Sequence, residues 1–299
     1  MYYNMKKNKN FSDTDFTAII HTLQMKSSEA LLPEDEIIQK PYVRGFHISG
    51  GKATYRVNPN RYGETISSLA NFKKVMKHIF DELEINEYQI VRLDVAINSP
   101  EPYERFYKIN NYIKELYSTY LNENNSYLTM GADLKKRSLK VTNRNFELEI
   151  YDKDQESKGK DPAKTRIEFR YKRLHKNQSP EDVLKSVCRV LDALPNYISE
   201  LNKKKIDQLY AEYLKENEKN YEGRVTSLPS FVSKYADFIY NTDIMNGLYG
   251  KCHTGKCKNW LYRYRASGKT LTLYTKGDLV SYLKLIKTAV KNYANGNSI

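Results

Sequence analysis

Long apolar runs are missing from this chain. Nowhere do hydrophobic residues approach the ~18 in succession that a membrane span needs, and the N-terminal MYYNMKKNKN lacks the apolar stretch of a secretory leader. These absences lead us to expect a cytoplasmic protein with no membrane partner. Cysteine is scarce as well: Cys188, Cys252 and Cys257 are too few to frame a 299-residue chain with disulfides. Cys188 lies on the apolar face of an expected helix and reads as a core residue. Cys252 and Cys257, with His253 in KCHTGKC, could contribute to a structural zinc site, but four ligands are required and no second Cys/His pair lies nearby. There is no internal repeat and no long low-complexity tract. Between Asp243 and Asp278 there is not one carboxylate.

Positive charge, by contrast, is abundant. The formal charge of +13 and a pI near 9.3 favour polyanions, because a basic surface attracts them over a Debye length and raises encounter rates. Nucleic acid is the first candidate partner. A lysine-rich background that also raises Asn and Tyr, of which there are 26, would give the same bulk signal. Hydrophobic residues at 40% and charged residues at 28% belong to a soluble globular protein able to bury a core, and the length allows two domains.

Asp13 could cap a first helix carrying Phe16, Ile19, Ile20 and Leu23 at helical spacing. A hairpin follows, from Tyr42 to Ser49 and Ala53 to Pro59 about a Gly50-Gly51 turn. Leu69, Phe72, Val75, Met76, Ile79, Phe80 and Leu83 mark an amphipathic helix that leads into the alternating strand YQIVRLDVAIN, Tyr88 to Asn98. Another helix runs to about Leu121. A hairpin turning at Asn143-Arg144-Asn145 carries FELEIYDKD, and TRIEFRYKRL, Thr165 to Leu174, is a further alternating strand. Ser179-Pro180-Glu181-Asp182 opens a helix in the order of cap, proline and acids, and a charged helix spans roughly Tyr197 to Lys219. A linker near Tyr221 to Pro229 and a short helix at Ser230 to Tyr240 precede the acid-free stretch. Half-apolar strands alternating with helices suggest an α+β fold: an antiparallel sheet backed by helices on one face, with residues 1–222 as the main domain and residues 223–299 as a smaller C-terminal region.

The alternation has a chemical consequence. In FELEIYDKD, Phe146, Leu148 and Ile150 point one way, and Glu147, Glu149, Tyr151 and Lys153 the other. Arg92 and Asp94 stand opposite Val91, Leu93 and Val95, and Arg166, Glu168 and Arg170 opposite Ile167, Phe169 and Tyr171. If the three strands are neighbours, Asp94, Glu149, Tyr151, Lys153 and Glu168 converge on the open face. Carboxylates on adjacent strands make a hard site suited to Mg²⁺ or Mn²⁺, beside which a tyrosine can attack a phosphodiester. Lys153 could lower the phenol's pKa or stabilise the leaving oxygen. The plain alternative is a solvated strand face whose cross-strand ion pairs add ~0.2–1 kcal/mol each.

The words RLDVAIN (Arg92 to Asn98), IYDKDQE (Ile150 to Glu156) and TRIEFRYKRL, with the upstream ATYRVNPNRYG (Ala53 to Gly63), resemble in order and spacing the filamentous-phage gene II replication proteins. More loosely they are similar to the Rep-trans plasmid initiators and relaxases of integrative elements. The likeness covers about half the chain, Gly45 to Leu174. It implies a rolling-circle initiator or relaxase that nicks one DNA strand at an origin and keeps a 5′-phosphotyrosine link, with a host helicase as a further partner. On this resemblance Tyr151 is the nucleophile, Lys153 its companion, and Asp94 and Glu168 the metal ligands; Glu149 joins them from strand parity alone. Arg92, Arg166 and Arg170 flank them as DNA contacts. The His-hydrophobe-His triplet of the HUH nucleases is missing, and His47 is at best a single ligand.

The acid-free stretch points the same way. Lys251, Lys256, Lys258, Arg263, Arg265 and Lys269 are interleaved with Trp260 and several tyrosines, offering charges for phosphates and rings for bases. A reading from another class is a non-catalytic, sequence-specific DNA-binding protein whose acid-and-tyrosine row is structural.

Overall fold

The computed structural model describes residues 16–122, 129–133, 137–198, scattered helical positions between 200 and 215, and 276–296. The chain divides into two compact units: residues 11–193 with 283–299, and residues 1–10 with 194–282. The sheet and everything built on it belong to the first. The strands are β1 (Thr17–Ser27), β2 (Val43–Ser49), β3 (Lys52–Val57), β4 (Gln89–Ser99), β5 (Thr129–Asp133), β6 (Ser138–Thr142), β7 (Phe146–Asp152) and β8 (Thr165–Tyr171). They form one eight-stranded sheet in the order β2-β3-β1-β4-β8-β7-β6-β5, and every pairing is antiparallel. The helices are α1 (Glu34–Gln39), α2 (Leu69–Glu82), α3 (Tyr103–Asn122), α4 (Lys153–Ser157), α5 (Pro180–Ala193) and α6 (Lys276–Asn295).

One face of the sheet is the core. Leu23, Leu93, Val95, Ile97, Leu148, Ile150, Ile167 and Phe169 are all buried there. Tyr117 of α3 meets Phe169 edge-on with centroids 5.9 Å apart, and Ser186 of α5 hydrogen-bonds Tyr171, so both helices cover this face. The expected α+β arrangement, an antiparallel sheet with helices on one face, is what the chain adopts. Three local signals act as their residue types dictate. Gly50 and Gly51 both have positive φ, +57° and +70°, the pattern of a type I′ turn that matches strand twist and excludes most side chains. Ser68 caps α2 by accepting from the Asn71 amide. Ser179 and Asp182 exchange side-chain-to-backbone hydrogen bonds at the start of α5, a reciprocal cap.

The sequence reading is corrected at four places. Phe16, Ile19, Ile20 and Leu23 do not lie on a helix: Thr17–Ser27 is the eleven-residue strand β1, between β3 and β4. β-Branched Thr17, Ile19, Ile20 and Thr22 favour extended backbone, and pairing on both sides outweighs a helical spacing that four apolar residues meet by chance. Lys153 does not continue its strand. Asp152 caps a short helix by accepting from the Gln155 amide, and Lys153 is that helix's first residue. Cys188 is half-buried rather than core. The fourth correction is the exposure of the polar row, taken up with the site. The linker at 221–229, the Ser230–Tyr240 helix, Asp13, Cys252, His253 and Cys257, and the basic stretch with Lys251, Lys256, Lys258, Trp260, Arg263, Arg265 and Lys269, lie outside the described residues.

Phe169, 1% exposed, should be the costlier position for truncation. Phe169→Ala is expected to lose about 3–5 kcal/mol of unfolding free energy in urea titrations. Ile48→Ala on the edge strand, 60% exposed, should stay within ~0.5 kcal/mol.

Candidate active site

β4, β8 and β7 are consecutive in the sheet, so the three strands carrying the charged words are neighbours. Their register sets up three cross-strand rows on the face away from the helices. Asp94 lies beside Arg170 and Glu147, Ala96 beside Glu168 and Glu149, and Asn98 beside Arg166 and Tyr151. Asp94, Glu149, Glu168, Tyr151, Arg166 and Arg170 therefore share one patch. Its exposure differs from the sequence expectation of a half-exposed face: Glu168 is 1%, Asp94 2% and Arg166 4% exposed.

Buried charges must be paired, and these are. Arg170 stands among three carboxylates: its Nε donates to Glu168 Oε2 at 2.8 Å, and its Nη1 lies 2.5 Å from Glu147 Oε1 and 2.6 Å from Glu149 Oε2. Arg92 holds Asp94 with two parallel hydrogen bonds, 2.9 and 2.8 Å, the fork geometry that suits guanidinium to carboxylate. Arg166 donates from Nε to Asn98 Oδ1 at 2.7 Å and from Nη2 to Asp161 at 3.1 Å. Lys153, 8% exposed, pairs with Glu156 and lies 3.8 Å from Asp161. Burial pushes the Glu168 and Glu147 carboxyls up, but Arg170 and their other donors more than offset it and hold both below the usual range. For Asp94 burial wins over Arg92, and its pKa is raised.

The tyrosine is hydrogen-bonded into the same patch. Tyr151 donates its hydroxyl proton to Glu168 Oε1 at 2.8 Å. Burial and the adjacent Glu168 charge drive the phenol pKa well up, and only Arg166, its partner in the row, pulls it down. The resting phenol is therefore protonated. Lys153 is not among the groups that chiefly set it.

A residue that the sequence reading missed completes the patch. Between Ile20 and Thr22 the pairing of β1 with β4 slips, and the extra residue is His21. Such a bulge re-aims one side chain. Nδ1 of His21 comes to 3.6 Å from Glu168 Oε1, the same oxygen that receives the Tyr151 proton, and to 3.2 Å from the Thr22 hydroxyl. An imidazole so close to a carboxylate could form an ion pair, but burial lowers the His21 pKa to about 4 and outweighs the pull of Glu168. At neutral pH it is an uncharged imidazole with a lone pair to offer. No single-sequence motif marks His21; the usable signal was the run of β-branched residues around it.

Among the described residues no three His, Cys, Asp or Glu side chains stand close enough to hold a metal ion. Asp94 is occupied by Arg92, Glu149 by Arg170, and Glu168 by Arg170 through Oε2 and by Tyr151 through Oε1. Glu168 is the carboxylate of the patch that has an imidazole, His21, beside it. Mg²⁺ typically takes one or two carboxylates and fills its shell with water and phosphate oxygens, and imidazole is the commonest side-chain metal ligand. The pair fits such an ion in that limited form, once Tyr151 releases Glu168 Oε1.

No protein-family profile matches the chain, and no curated sequence is significantly similar to it. Among solved structures it is similar to one described as the structure of a rolling circle replication initiator protein from Geobacillus stearothermophilus, at 10% identity over 62% of this chain and 84% of that one, with a TM-score of 0.29.

Removing Arg170 should expose how the patch is balanced. Arg170→Leu leaves Glu147, Glu149 and Glu168 without their shared cation, at a cost of about 3–5 kcal/mol at neutral pH. The sign of the pH dependence should also reverse. In the native chain the depressed Glu147 and Glu168 contribute stability above ~4.3, the unfolded glutamate pKa, and lose it as pH falls through their folded values. In the variant, unpaired carboxyls titrate above that value, so thermal stability measured from pH 8 down to 5 should rise.

Proposed function

We propose that this chain is a DNA strand-transferase that nicks one strand at an origin through Tyr151, initiating rolling-circle replication or mobilisation. The observation that supports this most is the Tyr151 hydroxyl 2.8 Å from Glu168 Oε1, in a buried row that also holds His21, Arg166 and Arg170. A purely structural strand face would carry such groups outward in water, where ion pairs contribute little. Here the chain sustains the cost of burying them together. The resemblance of the strand words around Asp94, Tyr151 and Glu168 to phage and plasmid initiators favours the same reaction.

In that reaction Tyr151 Oη attacks the phosphorus, its proton passes to Glu168 Oε1, and the bond to the 3′ oxygen breaks. The 5′ phosphate stays on the tyrosine, and the departing 3′ oxygen takes a proton from water. A divalent ion, Mg²⁺ or Mn²⁺ held by Glu168 and His21, would supply Lewis-acid charge to the phosphate oxygens. Arg166, adjacent to Tyr151, steadies phenolate character, and Lys153 at the head of α4 adds positive charge at the far end of the patch. Reversal by a 3′-hydroxyl rejoins the strand. Asp94 and Glu149 act by holding Arg92 and Arg170 in place. The aromatic-basic stretch with Lys251, Lys256, Lys258, Trp260, Arg263, Arg265 and Lys269 supplies duplex affinity, and a host helicase would open the duplex beyond the nick.

Incubation with supercoiled DNA carrying the cognate origin, followed by denaturing electrophoresis, tests this. Wild-type protein should leave a nick and a covalent protein–DNA adduct. Tyr151→Phe should bind but form no adduct, and Glu168→Gln should cut at least ~10²-fold more slowly. Chelation should reproduce the Glu168 defect. A nick without an adduct would point to water as nucleophile; neither product with bound DNA would favour a sequence-specific binding protein without catalysis.

A further inference from the structure

The three arginines that the sequence suggests as DNA contacts, Arg92, Arg166 and Arg170, are all committed to carboxylates or to Asn98 within the patch. Paired in this way, they leave the first capture of a phosphate to other residues. The other half of the same sheet supplies them. β1, β2 and β3 contain no Asp or Glu at all. The β1-β4 pairing slips between Gln24 and Met25, but the β1-β3 register is regular, and together they carry the polar face outward from Asp94: Asp94 pairs with Thr22, Arg92 with Gln24, Gln24 with Arg56, Lys26 with Thr54, Thr54 with His47, and Lys52 with Ser49. Lys26, Arg56 and Lys52 therefore stand on the catalytic face, each exposed, and none has an ion-pair partner among the described residues. With strands ~4.8 Å apart and ~3.4 Å of rise per residue, Arg56 lies about 10 Å across and about 7 Å along from Asp94, Lys26 about 5 Å across and about 14 Å along, and Lys52 stands four residues beyond Arg56 on the same strand, at the β2-β3 turn.

We infer that Lys26, Arg56 and Lys52 form a phosphate track that leads the single strand to be cut across β1 and β3 into the Tyr151 patch. The occupant follows from charge complementarity: Arg56, Lys26 and Lys52 step in a zigzag between β3 and β1, without ion-pair partners among the described residues, on strands that contain no Asp or Glu and lie beside a candidate phosphodiester site. This deepens the nicking proposal and rests on it for the identity of the polyanion. A patch whose own charges are internally balanced gives a strand little attraction, so the track, not the patch, supplies entry.

The test uses the full chain and fluorescein-labelled oligo-dT of about 20 nucleotides, longer than the ~4–16 that single-strand sites cover. Each single-strand phosphate contact contributes ~0.7 to the negative slope of log affinity against log salt. The triple variant K26Q/K52Q/R56Q should flatten that slope by about 2 and weaken binding at low salt about tenfold or more. K77Q/K185Q/K284Q, three exposed lysines on the helices, should leave slope and affinity unchanged. Equal slopes for the track variant and wild type, or equal losses in both triples, would overturn the track. A second measurement needs no variant: oligo-dT should protect Lys26 and Lys52 of the wild-type chain from amine acetylation and leave Lys77, Lys185 and Lys284 reactive. An adduct at Tyr151 without that protection overturns the track alone. Protection without an adduct upholds the track and counts against nicking.

Discussion

Burying Asp94, Glu147 and Glu168 on one sheet face, with Glu149 half-buried beside them, costs several kcal/mol per charge unless each is matched, and the guanidinium of Arg170 is what makes the arrangement tolerable. Its planar set of donors reaches Glu147 and Glu149 on β7 and Glu168 on its own strand. No lysine could serve three carboxylates at once with fixed geometry. The consequence reaches well beyond charge. A slip of one residue in the β7-β8 pairing would turn Glu168 and Arg170 into the helix layer and Phe169 into the polar face. The ion cluster and the core thus specify the same register from opposite sides, and that register puts Tyr151 over Glu168.

Once these groups have paired, the patch carries little uncompensated charge: Arg92 is held against Asp94, Arg170 against Glu147, Glu149 and Glu168, Arg166 against Asp161, and Lys153 against Glu156. The charge that distinguishes the sheet is displaced to β1 and β3. This division separates two tasks that conflict physically. Nucleophile activation favours a dry, rigid cluster in which electrostatic interactions are strong. Capture of a polyanion favours exposed, unpaired cations whose field extends into solvent.

Much of this fold is legible in the sequence, and the failures share a cause. The alternation in β4, β7 and β8, the Gly50-Gly51 turn and the helices α2, α3 and α5 follow from local periodicity, which depends on few distant contacts. β1 was misread because Phe16, Ile19, Ile20 and Leu23 satisfy a helical spacing that only pairing on both edges overrides. β5, all exposed at the sheet edge, has almost no apolar signal to find. The burial of Glu168 and Asp94 is invisible locally, since an acid facing water and an acid facing Arg170 look the same in one strand. His21 was missed for the compound reason that its strand was misread and its orientation depends on a bulge, which is a property of two chains of residues in register and not of either.

The resting electrostatics also constrain how Tyr151 can act. Tyr151 Oη keeps its proton and donates it to Glu168, a carboxylate that Arg170 holds unusually acidic, so transfer from a phenol with a raised pKa to a carboxylate with a lowered one is uphill. Left alone, the pair is inert. The transfer becomes accessible when positive charge arrives beside the phenolate, or when something draws Arg170 away from Glu168 and lets its basicity rise. On the nicking proposal, a phosphate delivered along the face would do the second by competing with Glu147, Glu149 and Glu168 for the same guanidinium, and a divalent ion would supply the first. Binding of the strand would then raise the base and lower the acid together, and the proposed nucleophile would be activated by its substrate's own charge.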